Sequence, residues 1–133
     1  MGRVKVLALD FGAARTGVAV SDPTGTLARP LGVVERAGTD AGLARLAELV
    51  RSEEAERVVV GLPLTLRGER GEQALATEEF VAALRMRVDV PVETFDERFT
   101  TDLAEQTSSD TSEDARAAAH LLSSYLEWSS ARR

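Results

Sequence analysis

The chain has no cysteine, and His120 is the single histidine among its 133 residues. Those scarcities exclude disulfides, thiolate zinc sites and cysteine nucleophiles, and a lone histidine weighs against a multi-histidine metal centre or an ordinary Ser-His-Asp triad. Lysine is nearly missing too, since Lys5 stands alone among sixteen basic residues. Apolar runs extend over only a few residues, too short to span a bilayer. Met1-Gly2-Arg3-Val4-Lys5 leads straight into strand-like sequence without the layout of a signal peptide. A basic excess is also absent, because twenty-two acids outweigh the sixteen bases and leave a net charge of −6. A non-specific nucleic-acid coat needs clustered Lys and Arg against phosphate, so that class is excluded. Phosphodiester hydrolysis is not, because carboxylates there hold metal, which reverses the local sign of charge. These features predict one soluble, cytoplasmic globular domain over 1–133, with no membrane partner. A chain of this length buries roughly 65–70% of its unfolded surface around one core.

Periodicity predicts the elements. Residues 3–12 read as a buried strand ending near Asp10, and Val18–Asp22 as a second strand across a Gly12–Gly17 turn. A third strand follows around Gly32–Glu35. Thr39 caps a helix carrying Leu43, Leu46, Ala47 and Val50 at helical spacing. Arg57–Gly61 is a short buried strand, and Ala76, Phe80, Val81 and Leu84 mark a helix over roughly 72–87. Val90–Phe95 forms the fifth strand, and a last helix begins near Glu113. The order is β-β-β-α-β-α-β-α: an α/β fold with a mixed five-stranded sheet, antiparallel at its start and parallel afterwards.

Ligands of such sheets collect outside the carboxyl ends of the parallel strands. Asp10 ends the first strand there, and Asp96-Glu97 end the fifth. Asp114 heads the last helix in line with Ala118, Leu121, Leu122 and Tyr125, on the face turned toward the sheet. A carboxylate heading a buried stripe is costly unless paired, hydrogen-bonded or bound to metal. Each acid also has a plain reading: Asp114 on the helix dipole, Asp10 in a turn, Asp96-Glu97 in a surface ion pair with Arg98. His120 reads as a partly buried or surface helix residue and not as a catalytic base, and Trp128 as a packing residue in preference to a platform for stacking a base.

Four blocks then carry a resemblance. They are Asp10-Phe-Gly-Ala-Ala-Arg15-Thr-Gly17-Val-Ala-Val-Ser-Asp22, Val60-Gly61-Leu62-Pro63-Leu64, Asp96-Glu97-Arg98-Phe-Thr100-Thr101, and Asp114 with Ala117-Ala118 and Leu122-Ser-Ser-Tyr125-Leu126. In this order, over nearly the whole chain, they resemble the YqgF/RuvX family. The resemblance implies an RNase H-like fold and a nuclease acting on the 5′ end of the small-subunit rRNA precursor (pre-16S rRNA) in ribosome biogenesis. The family is also linked with Holliday junction resolution, by analogy with RuvC resolvases. Asp10, Glu97 and Asp114 match the family's three acids, which would hold Mg²⁺ or Mn²⁺ for in-line attack on phosphorus. Asp96 competes with Glu97 for that role, and Glu97 has the longer reach. Arg15 and Arg98 either contact phosphate or pin a carboxylate. Thr100 and Thr101 either bond phosphate or cap a turn. Gly61 and Pro63, with Gly68 and Gly71, resemble the substrate-side loop, where glycine also serves plain backbone geometry.

The chain departs from many relatives between Asp96 and Asp114. They carry a longer segment, often rich in Lys and Arg, whereas residues 102–113 here are acidic and polar without one basic residue. A grip on RNA, or on branched DNA, is then either weaker or supplied from elsewhere, with Arg67, Arg70, Arg85, Arg87 and Arg132-Arg133 as the candidates. Two other readings stay open. One is a non-catalytic adaptor in RNA processing or transcription. The other is a nucleotide binder of the sugar-kinase, Hsp70 and actin type, which the chain's single-domain length opposes. Junction cutting calls for a homodimer with two-fold related sites, whereas RNA trimming is open to a monomer.

Overall fold

Alternation of side chains along the strands sorts residues by size onto the two faces of one sheet. The computed structural model describes residues 4–65, 67–99 and 112–131. Thr100, Thr101, most of the acidic 102–113 segment, and Arg132-Arg133 lie outside the described residues. The elements are β1 (Val6–Asp10), β2 (Arg15–Ser21), β3 (Ala28–Glu35), α1 (Asp40–Ser52), β4 (Arg57–Leu62), α2 (Glu72–Arg85), β5 (Val92–Asp96), a 3-10 turn (Glu97–Phe99) and α3 (Glu113–Ala131). The sheet order is β3-β2-β1-β4-β5. β2 is antiparallel to both β1 and β3, while β4 is parallel to β1 and β5. This is the mixed five-stranded α/β arrangement expected from the sequence.

Leu7, Leu9, Val18, Val20, Val58 and Val60 form one core with Leu43, Leu46 and Val50 of α1 and Phe80, Val81 and Leu84 of α2. Burying each such side chain is worth about 1.5–3 kcal/mol. The opposite face presents Val6, Ala8, Ala19 and Val59 to Ala118, Leu121, Leu122 and Tyr125 of α3. Small residues on that face let a single long helix approach the sheet closely. Contact is tightest at Gly17, where an added Cβ would lie 1.8 Å from the Asp114 carbonyl oxygen.

Local signals explain the helix ends. The Thr39 hydroxyl accepts the Gly42 N–H at 3.1 Å, and Asp40 occupies the first turn of α1. That helix closes with Glu54 in the left-handed region (φ 57), its N–H on the Arg51 carbonyl and the Ala55 N–H on the Val50 carbonyl. Between β2 and β3, the Asp22 carboxylate accepts bonds from the Thr24 hydroxyl and the Thr26 and Leu27 N–H groups. The Thr24 hydroxyl bond leads the causes that lower its pKa to about 2.

Several expectations need correcting. β2 begins at Arg15, not Val18, because Gly17 lies inside the strand as a point of clearance and not in a turn. β3 begins four residues before Gly32, at Ala28, and accommodates Pro30 because it is an edge strand. On α2, Ala76 faces solvent. Thr77 takes the buried place expected of Ala76, satisfied by a 2.8 Å bond from its hydroxyl to the Gln73 carbonyl. Among the described residues, no helix is long and apolar enough to cross a membrane.

Candidate active site

Asp10 belongs to the same alternation as Val6 and Ala8, so its side chain emerges on the α3 face at the carboxyl end of β1. Its neighbours across both ladders are glycines. Gly17 pairs with it on β2, and Gly61 follows the Leu9–Val60 pair on β4. The carboxylate therefore stands above a floor without side chains. Phe11, next in sequence, stacks on Phe80 of α2 at 4.3 Å and anchors the strand end.

Glu97 reaches the same floor from the other side. Its Cγ and Oε2 lie over Gly61, where a Cβ would come within 3.0 Å of both. Asp96 points into a different environment. The Arg98 guanidinium forks onto it, with Nη2–Oδ2 at 2.6 Å and Nε–Oδ1 at 3.1 Å, and the Arg98 N–H adds a bond at 2.9 Å. Those bonds, led by the Arg98 side chain, hold the Asp96 carboxyl below its ordinary pKa. Arg98 also lies against Gly68, whose φ of +84° opens the 63–71 loop toward it. The clamp between residues on either side of Glu97 leaves that side chain the face toward Asp10.

Asp114 arrives on the first turn of α3, its backbone pressed on Gly17. Its carboxylate meets Arg15 at 3.2 Å, with Arg15 64% exposed and Asp114 33%. Both arginines whose roles were open thus pin carboxylates, Arg15 on Asp114 and Arg98 on Asp96.

The acids repel one another. Burial, then Asp114, raises the Asp10 pKa; burial, then Asp10, then Asp96, raises that of Glu97. Neither carboxylate has a hydrogen bond or ion pair among the described residues. Half-buried, unpaired and mutually repelling carboxylates suit a hard divalent cation such as Mg²⁺ or Mn²⁺, which takes oxygen ligands. Among the described residues no three acidic or histidine side chains are already closed into a metal cage. Asp114 would have to exchange Arg15 for the ion.

Other expected residues are placed as follows. Pro63 opens the loop after β4, which folds back through a Leu64–Arg70 bridge. Three of the arginines expected to grip nucleic acid are engaged elsewhere. Arg85 forks onto the Val92 carbonyl at 2.7 and 3.0 Å, Arg87 meets Asp40 at 2.8 Å, and Arg70 meets Glu78 at 3.1 Å. Trp128 packs as expected, 5.7 Å from Phe95, and His120 is a half-buried residue of α3. Gly17 was missed as a site residue. Its signal was alternation: a glycine facing Asp10 across the hairpin, in phase with Ala19.

Gly61→Ala tests this packing. The new methyl would press on Glu97 and on Leu121 Cδ2, 3.1 Å away, and both are flexible side-chain ends that can give way. The expected stability loss is only about 1 kcal/mol, whereas a carboxylate displaced by about 1 Å costs on the order of a hundredfold in rate. Thermal melts beside single-turnover cleavage separate the two effects, and unchanged cleavage would count against Glu97 as a working acid.

The sheet order, its mixed strand directions and the acids on the face under one long helix define an α/β domain of the RNase H-like class. Thermus thermophilus RuvC in complex with a Holliday junction substrate shares this fold at a TM-score of 0.61 and 19% identity, over 96% of this chain and 97% of that one. RuvC from the same organism without that description gives 0.59 at 18%, over 94% and 96%. Sequence defines the closer kinship. A protein of Chloroflexus aggregans named "Putative pre-16S rRNA nuclease" is 46% identical over 106 residues, 80% of this chain and 75% of its own length. One of the same name from Sulfurihydrogenibium sp. is 39% identical over 132 residues, covering 92% and 90%. Another from Chloroflexus aurantiacus is 46% identical over 101 residues, with 76% of this chain matched to 66% of the relative. The chain belongs to the RuvX family, described as Holliday junction resolvase, whose model matches residues 4–128.

Proposed function

We propose that this chain is a divalent-metal-dependent nuclease that trims the 5′ end of pre-16S rRNA, acting as one domain in the cytoplasm. The observation that carries the reading is the meeting of Asp10 and Glu97 above the glycine floor, with Asp114 one ion pair away. Asp10, Glu97 and Asp114 would hold Mg²⁺ or Mn²⁺. Such an ion supplies an activated water and stabilises charge at the leaving oxygen. The protein's own part is positional. The Asp96–Arg98 clamp keeps Glu97 aimed at Asp10, Gly17 fixes where α3 begins, and the wall formed by α3 limits access from that side. When Asp114 turns from Arg15, the guanidinium is released beside the acids and takes a substrate phosphate.

The test is cleavage of a labelled pre-16S 5′ fragment, a homopolymeric RNA and a four-way DNA junction, with Mg²⁺, Mn²⁺ or EDTA. Metal-dependent cutting of the precursor fragment in preference to the others is the expected result. Preference for the junction, with a dimer in sedimentation, would move the assignment to branched DNA. The Arg15–Asp114 pair, which keeps the metal cage open, favours a second reading as a non-catalytic RNA-processing adaptor. RNA binding without cutting in either metal would establish it.

A further inference from the structure

Most arginines with described side chains are paired, but Arg36, Arg51 and Arg67 have no hydrogen bond or ion pair from their guanidinium groups among the described residues. Arg51 lies in the last turn of α1. Arg36 and Arg67 stand at the carboxyl edge of the sheet, after β3 and after β4, with Asp10 at the end of β1 between them. Arg36 follows the end of β3 and donates its N–H to the Ala14 carbonyl at 3.0 Å, beside Arg15. Arg67 occupies the turn closed by the Gly68 N–H on the Thr65 carbonyl, next to the Asp96–Arg98 clamp.

The backbone at Arg36 is costly. Its φ is 49°, in the left-handed region, where a residue with a Cβ loses about 1–2 kcal/mol relative to glycine. The surroundings hold it there. Its carbonyl accepts the Thr39 N–H at 3.0 Å and the Thr39 hydroxyl at 2.7 Å. Gly42 leaves room for that carbonyl, which would lie 2.2 Å from a Cβ on Gly42. Glycine at position 36 would meet every one of these backbone demands more cheaply. Arginine adds only an exposed guanidinium, and strain held in place by its surroundings points to use of the side chain. The other non-glycine left-handed residue, Glu54, has a plain explanation in the end of α1.

We infer that Arg36 and Arg67 are the two ends of a phosphate-binding track that carries a nucleic-acid strand across the carboxyl edge of the sheet, over Asp10 and Glu97. Three inter-strand steps separate β3, which precedes Arg36, from β4, which precedes Arg67, about 14 Å at 4.8 Å per step, so the strand would lie perpendicular to the sheet strands. In a chain of net charge −6, unpaired cations at this edge are the complement a phosphodiester backbone needs. The track rests on nucleic acid being the ligand proposed above, and not on its cleavage.

Fluorescence anisotropy with a short labelled single-stranded RNA, in EDTA and over a series of NaCl concentrations, tests it. Arg36→Gly keeps the backbone conformation, so its melting temperature should equal or exceed that of the wild type. Its RNA affinity should fall about threefold or more, and the slope of log K against log salt should lose about 0.7, one phosphate contact. Arg67→Ala should behave alike, Arg36→Lys should restore the slope, and Arg51→Ala should change neither quantity. Wild-type slopes in either Arg36→Gly or Arg67→Ala, or no RNA binding by the wild type, would overturn the track. Binding that follows this pattern in a protein that cuts nothing would sink the nuclease reading and leave the track standing.

Discussion

Asp10→Asn is expected to abolish metal-dependent cleavage while raising the melting temperature of the metal-free protein. The first effect follows from losing a central ligand of the proposed ion. Several kcal/mol of transition-state stabilisation go with it, and at about 1.4 kcal/mol per tenfold the loss is on the order of a thousandfold. The second effect follows from linkage. Burial and the neighbouring Asp114 raise the Asp10 pKa above its ordinary 3.8, so in that range the native state binds more protons than the unfolded one. Stability of the metal-free protein therefore declines as pH climbs from the unfolded pKa through the native one. At neutral pH the whole cost is present, and asparagine removes it at nearly unchanged volume. Scanning calorimetry in EDTA and in Mn²⁺ separates the contributions: the ion should stabilise the wild type and leave the variant unmoved. A lower melting temperature for the metal-free variant would show that Asp10 is a structural acid.

Gly17→Ala should do the opposite, costing stability and activity together. The added methyl would stand 1.8 Å from the Asp114 carbonyl oxygen and 2.4 Å from its carbon. Both are backbone atoms in the first turn of a helix, so no side-chain rotation can make room. Overpacking usually costs about 1–3 kcal/mol, and a clash between two rigid elements should exceed the upper figure. α3 must lift or slide, and Asp114 moves with it. Urea unfolding should show a midpoint far below that of Gly61→Ala. A stability loss under about 1 kcal/mol would mean that α3 seats less firmly than the structure has it.

Much of the architecture was legible because binary patterns repeat: buried runs at β1 and β4, helical spacing on α1, Thr39 as a cap. The three acids were legible as strand-end and helix-start residues, and their order matched a family resemblance. What pattern alone could not supply was phase at a strand end. Asp96 and Glu97 are adjacent, and only the fork from Arg98 shows which one is committed to a side-chain pair and which turns over Gly61. The fates of Arg70, Arg85 and Arg87 were hidden for a similar reason. Their partners, Glu78, the Val92 carbonyl and Asp40, are set by tertiary packing, and charge counting treats every arginine as available. The strain at Arg36 was invisible because nothing in the residues around it requires a positive φ until the chain is folded against Ala14 and Thr39.

The glycine floor has a consequence for how such a chain drifts over generations. Neither Gly17 nor Gly61 has a positive φ, so neither is kept for a backbone angle that other residues avoid. Each is kept for a volume of space that alanine already overfills. Alanine at either position would disturb the carboxylates they serve, directly at Gly61 through Glu97 and through the backbone of α3 at Gly17. A relative that lost its acids would be released from the constraint at Gly61 but not at Gly17, where the helix itself fills the gap. The pair of positions therefore distinguishes a descendant that has abandoned chemistry from one that has abandoned the fold.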